Sequence, residues 1–127
     1  MKTSDTDAYF IVRIPASELH FFLEFDRGLE QLRTIERKMA AYLFYHRSGK
    51  CKARYGTDRI RVLTVTIGGK KGIGRKRLRN LKKKTEKVGG GQQFWFSTMD
   101  QVTSKDFLSS SIWRIAGRKG HSPLVSA

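Results

Sequence analysis

Two carboxylates one residue apart, Glu24 and Asp26, close the apolar run "LHFFLEFD", and a third, Asp7, stands just ahead of the run "AYFIVRI". Carboxylates gathered at one place repel one another unless a cation compensates. A hard divalent ion such as Mg²⁺ takes oxygen ligands, often one or two carboxylates together with phosphate oxygens. Held there, it can activate water and stabilise the leaving oxygen of a phosphodiester. The plainer alternative is that the three acids are solvated strand-end residues, or are paired with Arg13, Arg27 or Lys38, and hold no metal.

Strand pairing decides whether the acids meet. Residues 8–14 read as a strand from their β-branched and aromatic content, "PASE" at 15–18 as a turn, and 19–26 as the returning strand, broken by Gly28. Side chains alternate along a strand, so His20, Phe22, Glu24 and Asp26 share one face, while Phe21, Leu23 and Phe25 share the other. A turn centred between Ala16 and Ser17 sets Asp7 opposite Asp26 and Tyr9 opposite Glu24. In that register Asp7, Glu24 and Asp26 cluster at one end of the hairpin, as metal ligands and catalytic carboxylates. A one-residue slip would separate Asp7 from the pair.

A different chemistry is written into "KKGIGRKRLRNLKKKTEK", residues 70–87, which holds ten Lys or Arg and one Glu. Lys and Arg on phosphates release counterions and give salt-sensitive, sequence-independent affinity. This assigns Lys70, Lys71, Arg75, Lys76, Arg77, Arg79, Lys82, Lys83, Lys84 and Lys87 to a nucleic-acid surface; a merely solvated helix face is the competing reading. The glycines from Gly69 to Gly74 match the spacing of a phosphate-binding loop, but Arg75-Lys76 follows where Lys-Ser/Thr is required, so no ATPase is indicated. In "QFWFS" the aromatics could stack on unpaired bases, but alternation sends Phe94 and Phe96 to one face and Trp95 to the other, which favours core packing.

The elements that must position these residues follow from periodicity. Apolar positions at Leu32, Ile35, Met39, Tyr42, Leu43 and His46 predict a helix over 29–47 with one buried face. Residues 47–58 read as a basic connection and "IRVLTVTIG", 60–68, as a nearly continuous apolar strand from the middle of a covered sheet. A helix over 75–88 ends at the glycines 89–91, a strand covers 93–99, a short helix or turn 101–111, and an edge strand 112–117. The order is β-β-α-β-α-β. It gives an α/β (α+β) fold in which a hairpin opens a mixed sheet and helical crossovers continue it. One domain is expected over residues 1–127, with its core about 7–116 and the tail 117–127 frayed.

The whole chain sets limits. Its 127 residues suffice for a core, and its net charge of +15 attracts polyanions. Nucleic acid, most readily DNA, is the expected partner. Anionic membrane ranks second, and no stretch approaches a spanning helix. The N-terminus lacks the apolar region of a signal peptide, and the lone Cys51 can form no internal disulfide, which fits a cytoplasmic setting. His20, His46 and His121 are scattered without cysteine partners, so zinc is not indicated.

The segments "TDAYF", "FLEFDRG", "AYLFYHRSG", "YGTDRIRVLTVT" and "FWFSTMDQV" resemble the replication-relaxation family of plasmids and other mobile elements, from about Asp7 to Val102. The densest matches are Asp7 to Phe10, Phe22 to Gly28, and Tyr42, Tyr45, Arg47, Ser48 and Gly49. That resemblance implies a winged-helix DNA-binding region followed by a domain like this one. No winged helix precedes Asp7, so the expectation is an N-terminal neighbour that is either missing from this sequence or separately encoded, as a winged-helix or replication partner. The strand order is also similar to the PD-(D/E)XK nuclease fold, in which an Asp on one strand and an acidic-x-Lys motif on the next bind metal. The resemblance casts Asp7 as the first acid and Glu24 as the motif acid. Asp26 stands where the lysine belongs. Lys38, beside the apolar stripe of the first helix, either replaces it as a fourth catalytic residue or snorkels at the surface.

Three functions therefore stand at this level. The first is a DNA-binding protein of nuclease-like fold acting in plasmid or phage replication or mobilisation. The second is an active Mg²⁺-dependent DNA endonuclease, and the third a small basic RNA-binding protein.

Overall fold

The computed structural model describes residues 7–28, 31–57, 59–67 and 73–125. The chain opens with β1 (Ala8–Ile14) and β2 (Ser17–Asp26), then α1 (Leu32–Arg47), a short α2 (Lys50–Tyr55) and β3 (Ile60–Thr66). It continues through α3 (Ile73–Lys87), β4 (Phe94–Thr98), α4 (Met99–Ser104) and β5 (Arg114–Ile115). The described strands form one five-stranded sheet in the order β1-β2-β3-β4-β5. The β2/β3 and β3/β4 pairs are parallel, and the outer two pairs are antiparallel. This is the mixed sheet with flanking helices that the sequence predicts, in the expected order, with α2 formed inside what reads as a loop.

Alternation along the strands splits the core in two. Phe22, Val62, Phe94 and Phe96 face α1 and α3 and pack on Ile35, Met39, Tyr42, Leu43, Leu78 and Leu81. Phe21, Leu63, Val65 and Trp95 face the other way, against Ile112, Trp113, Ile115 and Leu124. The aromatics of β4 thus fill both cores, as expected of a strand covered on both faces.

The helices are anchored at particular points. Glu36 of α1 meets Lys84 at 3.0 Å and Lys87 at 3.5 Å on α3, tying the two helices together. α3 ends on Gly89, whose φ of +92° is left-handed. At Gly90 a Cβ would lie 2.5 Å from the Thr85 methyl and 2.9 Å from the Thr85 carbonyl oxygen. Only glycine lets the chain turn this tightly from α3 into β4.

The tail differs from expectation. Residues 117–125 do not fray: Trp113 and Ser122 exchange backbone hydrogen bonds at 3.1 and 2.8 Å, and Leu124 is buried in the second core. The Arg61 guanidinium donates to the Leu124 carbonyl at 2.9 Å while lying 4.5 Å from the Trp95 ring centroid. A partly polar sequence hides this, because one apolar anchor and a bridge suffice to pin an otherwise hydrophilic strap. Among the described residues no helix is long and apolar enough to cross a membrane.

Candidate acid site and basic helix face

Toward the C-terminal ends of β2 and β3, the face under the helices stops being apolar. Glu24 and Asp26 are each 4% exposed, Thr64 3% and Thr66 2%. They are neighbours by register: Glu24 pairs with Thr64 and Asp26 with Thr66. The two threonine hydroxyls have no hydrogen-bond partner. A buried hydroxyl left without a partner costs about 1–3 kcal/mol. Four buried polar groups side by side in a small core are therefore a standing cost, of the kind that marks a functional site.

Each acid is held by a different element. Glu24 accepts the Tyr42 hydroxyl on Oε1 and the Lys38 ammonium, at 3.3 Å, on Oε2. Helical spacing presents both donors, since Lys38 and Tyr42 are four residues apart on α1. Burial pushes the Glu24 carboxyl above the usual range, the Tyr42 hydrogen bond and Lys38 pull it back, and the charge of Asp7 adds to the rise. Asp7 is exposed, donates its backbone N–H to Leu23 at 3.1 Å, and accepts the Phe25 N–H on Oδ2 at 2.8 Å. Asp26 receives a two-pronged Arg77 guanidinium, Nε and Nη2 both at 3.0 Å, and the Gly28 N–H at 3.3 Å.

The hairpin turn explains the arrangement. β1 and β2 close on Ile14 opposite Ser17, with Pro15-Ala16 as the turn, so Ala8 faces Leu23 and Tyr9 faces Phe22. The ladder is shifted by two residues from a turn centred between Ala16 and Ser17. A shift of two preserves the faces but moves Asp7 beside Glu24 instead of opposite Asp26. Lys38 leans onto Glu24 rather than snorkelling.

These placements bear directly on a metal. Among the described residues no three His, Cys, Asp or Glu side chains are grouped to hold one. Asp26 has both oxygens on Arg77, so a three-carboxylate set does not fit. Asp7 and Glu24 remain as adjacent carboxylates beside the unpartnered Thr64 hydroxyl, which is the number of acids that Mg²⁺ commonly takes from a protein. His20 is occupied elsewhere, its Nδ1 meeting the Tyr9 hydroxyl.

The basic segment also divides. Lys70 and Lys71 lie outside the described residues. Arg77 turns inward to Asp26, Lys82 pairs with Glu86 at 2.9 Å, and Lys84 and Lys87 pair with Glu36. Burial works against the Glu86 charge, but the Gly117 N–H and Lys82 hold its carboxyl below the usual range. Arg75, Lys76, Arg79 and Lys83 point to solvent. A single sequence cannot reveal this partition, because a run of like charges carries no sign of which members meet acids from distant elements. Tyr42, Thr64, Thr66 and the inward role of Arg77 were not foreseen. The threonines read as ordinary β-branched strand residues, and the signals for Tyr42 were its place among the dense family matches and its four-residue offset from Lys38.

No curated protein and no solved structure matches the chain. A family model described as Replication-relaxation matches residues 1–60, the part that contains β1, β2, α1 and α2 and supplies Asp7, Glu24, Asp26, Lys38 and Tyr42. Over this N-terminal part, with its hairpin acids and the helix that answers them, the chain is similar to the replication-relaxation family.

Proposed function

We propose that this protein is a DNA-binding module of PD-(D/E)XK nuclease-like architecture, acting in the replication or mobilisation of a plasmid or related element. The observation that carries the reading is the two-sidedness of α3. One side sends Arg77 into the acid site, and the other presents Arg75, Lys76, Arg79 and Lys83 to solvent, none of them in a salt bridge among the described residues. The net charge of +15 supplies the long-range attraction, and the family match supplies the process.

The reading is tested by fluorescence anisotropy with a short DNA duplex over a salt series. Replacing Lys76 and Lys83 together with Ala should lower the slope of log affinity against log salt by about 2, roughly 1 for each phosphate contact. An unchanged slope would remove α3 from the interface. A preference for structured RNA in salt-matched competition would replace DNA with RNA as the ligand.

A second reading is favoured by the adjacency of Asp7, Glu24 and Lys38: a Mg²⁺-dependent endonuclease in which the two acids hold the ion and the lysine sits beside them. The ion would supply Lewis-acid activation of water and of the leaving oxygen. Supercoiled plasmid incubated with Mg²⁺ or Mn²⁺ decides it. Nicking that disappears in Glu24→Ala, while duplex binding survives, would establish the enzyme. Intact plasmid would leave the binding module alone.

A further inference from the structure

A cleft of about 310 Å³ opens between α3, the end of β4 and β5, and its polar lining is Arg75, Arg79, Arg114, His121, Thr98 and Gln101. Among the described residues no carboxylate lines it. Lysine and arginine are equally numerous in this chain, yet among the described residues the Lys/Arg lining of the cleft is all arginine. Arg75 and Arg79 stand four residues apart on α3, so their guanidinium groups leave one helix face in the same direction. Arg114 comes from β5 on the far wall and donates from Nε to His121 Nε2 at 3.4 Å. His121 is thereby an acceptor, and burial, then Arg114 and Arg75, hold its pKa below the ordinary histidine value.

Three guanidinium-bearing side chains lining one concavity repel each other unless an anion sits among them. Arginine is suited to that anion when it is planar or tetrahedral with several oxygens, because its fork donates two hydrogen bonds at once. The cleft volume falls at the small end of ligand sites, which suits a phosphate group better than an extended apolar ligand. Its place in the fold adds a second argument. Thr98 pairs with Thr66, and Thr66 with Asp26. Two strand spacings separate the cleft wall from the acid site, or about 10 Å across the sheet edge.

We infer that this cleft is a phosphate-binding site that holds one phosphate of a nucleic-acid strand at a fixed distance from the acids of β2. The inference deepens the DNA-binding reading and rests on it for the identity of the phosphate's carrier; the site itself does not depend on that reading. A strand seated here runs along the C-terminal edge of the parallel strands. It is oriented by the arginines and passes Asp26, Glu24 and Asp7 in turn.

The experiment uses inorganic phosphate and the full chain. The His121 imidazole resonances are followed by NMR through a pH titration in phosphate and in chloride at matched ionic strength. An anion in the cleft should raise the His121 midpoint measurably in phosphate only. Arg75→Ala with Arg79→Ala should cancel the difference, as should Arg114→Gln, whereas Lys52→Ala on α2 should not. A His121 midpoint that is the same in both salts overturns the site, and so does an equal effect of Lys52→Ala, which would indicate a diffuse field. Duplex binding by the same Arg75/Arg79 variant is then measured, with a loss of more than tenfold expected. If phosphate raises His121 but the wild-type chain binds no nucleic acid, the DNA reading falls and the anion site stands.

Discussion

The two faces of the sheet are cut from the same strands, yet they follow different rules. The face under the C-terminal strap is apolar apart from Ser97, whose hydroxyl goes to the Ile112 carbonyl at 2.8 Å, and Arg61, whose guanidinium donates to the Leu124 carbonyl. The face under α1 and α3 begins the same way at Phe22, Val62 and Phe94, then places Glu24, Asp26, Thr64 and Thr66 where packing alone would want leucine or valine. The first face accounts for stability. The second spends some of that stability on groups whose use lies elsewhere.

Substitutions can break or sharpen this contrast. The largest effects should come from the apolar face and from the buried ion pair. Phe21→Ala should cost about 3–5 kcal/mol in denaturant unfolding, as expected for emptying a fully buried aromatic site. Arg77→Ala should cost a similar ~3–5 kcal/mol, because it leaves Asp26 charged and buried without its partner. The double change Arg77→Met with Asp26→Leu should recover most of that loss. If the double variant is as unstable as the single one, the pair is a packing element and not an electrostatic cost.

A smaller effect of opposite sign is expected at the threonines. Thr64→Val and Thr66→Val should each stabilise the protein by about 1 kcal/mol, by removing an unpartnered hydroxyl at nearly constant shape. Destabilisation instead would mean that each hydroxyl makes a bond to an ordered water.

The mildest effect concerns pH. A carboxyl whose pKa rises on folding binds its proton more tightly in the folded state than in the unfolded one. Stability is therefore greatest at low pH and declines as pH climbs from the ordinary carboxylate value through the raised one. Glu24→Gln keeps an acceptor for Tyr42 and removes that decline. The melting temperature of the variant should be flatter with pH above about 4.5 than that of the wild type, with a gain of a few degrees near neutrality. Parallel curves for the two proteins would show that Lys38 and Tyr42 already compensate the buried charge in full.

Much of this arrangement was legible in the chain itself. Period-two alternation in "LHFFLEFD" assigned Phe22, Glu24 and Asp26 to one face correctly, because side-chain direction on a strand depends only on parity. The element order, and with it the mixed sheet opened by a hairpin, followed from helices lying between strands. What escaped was set by distance in sequence. The tip of the hairpin moved by one residue on each arm, which changed the partner of Asp7 without changing its face. Arg77 was read with its neighbours as a phosphate contact, since nothing local distinguishes the one arginine that finds Asp26, 51 positions away. The cleft of Arg75, Arg79 and Arg114 combines two arginines from the basic helix with a third from a strand of two residues, and no spacing rule joins them.

The strap formed by residues 117–125 has a practical corollary. Ending the chain near Ala116 would do more than trim a terminus: it would strip Leu124 from its seat, uncover Trp113, and release the Arg61 guanidinium from the carbonyl it grips. Shortened versions prepared for biophysics should therefore be sticky and poorly behaved. Tags and fluorophores belong beyond Val125.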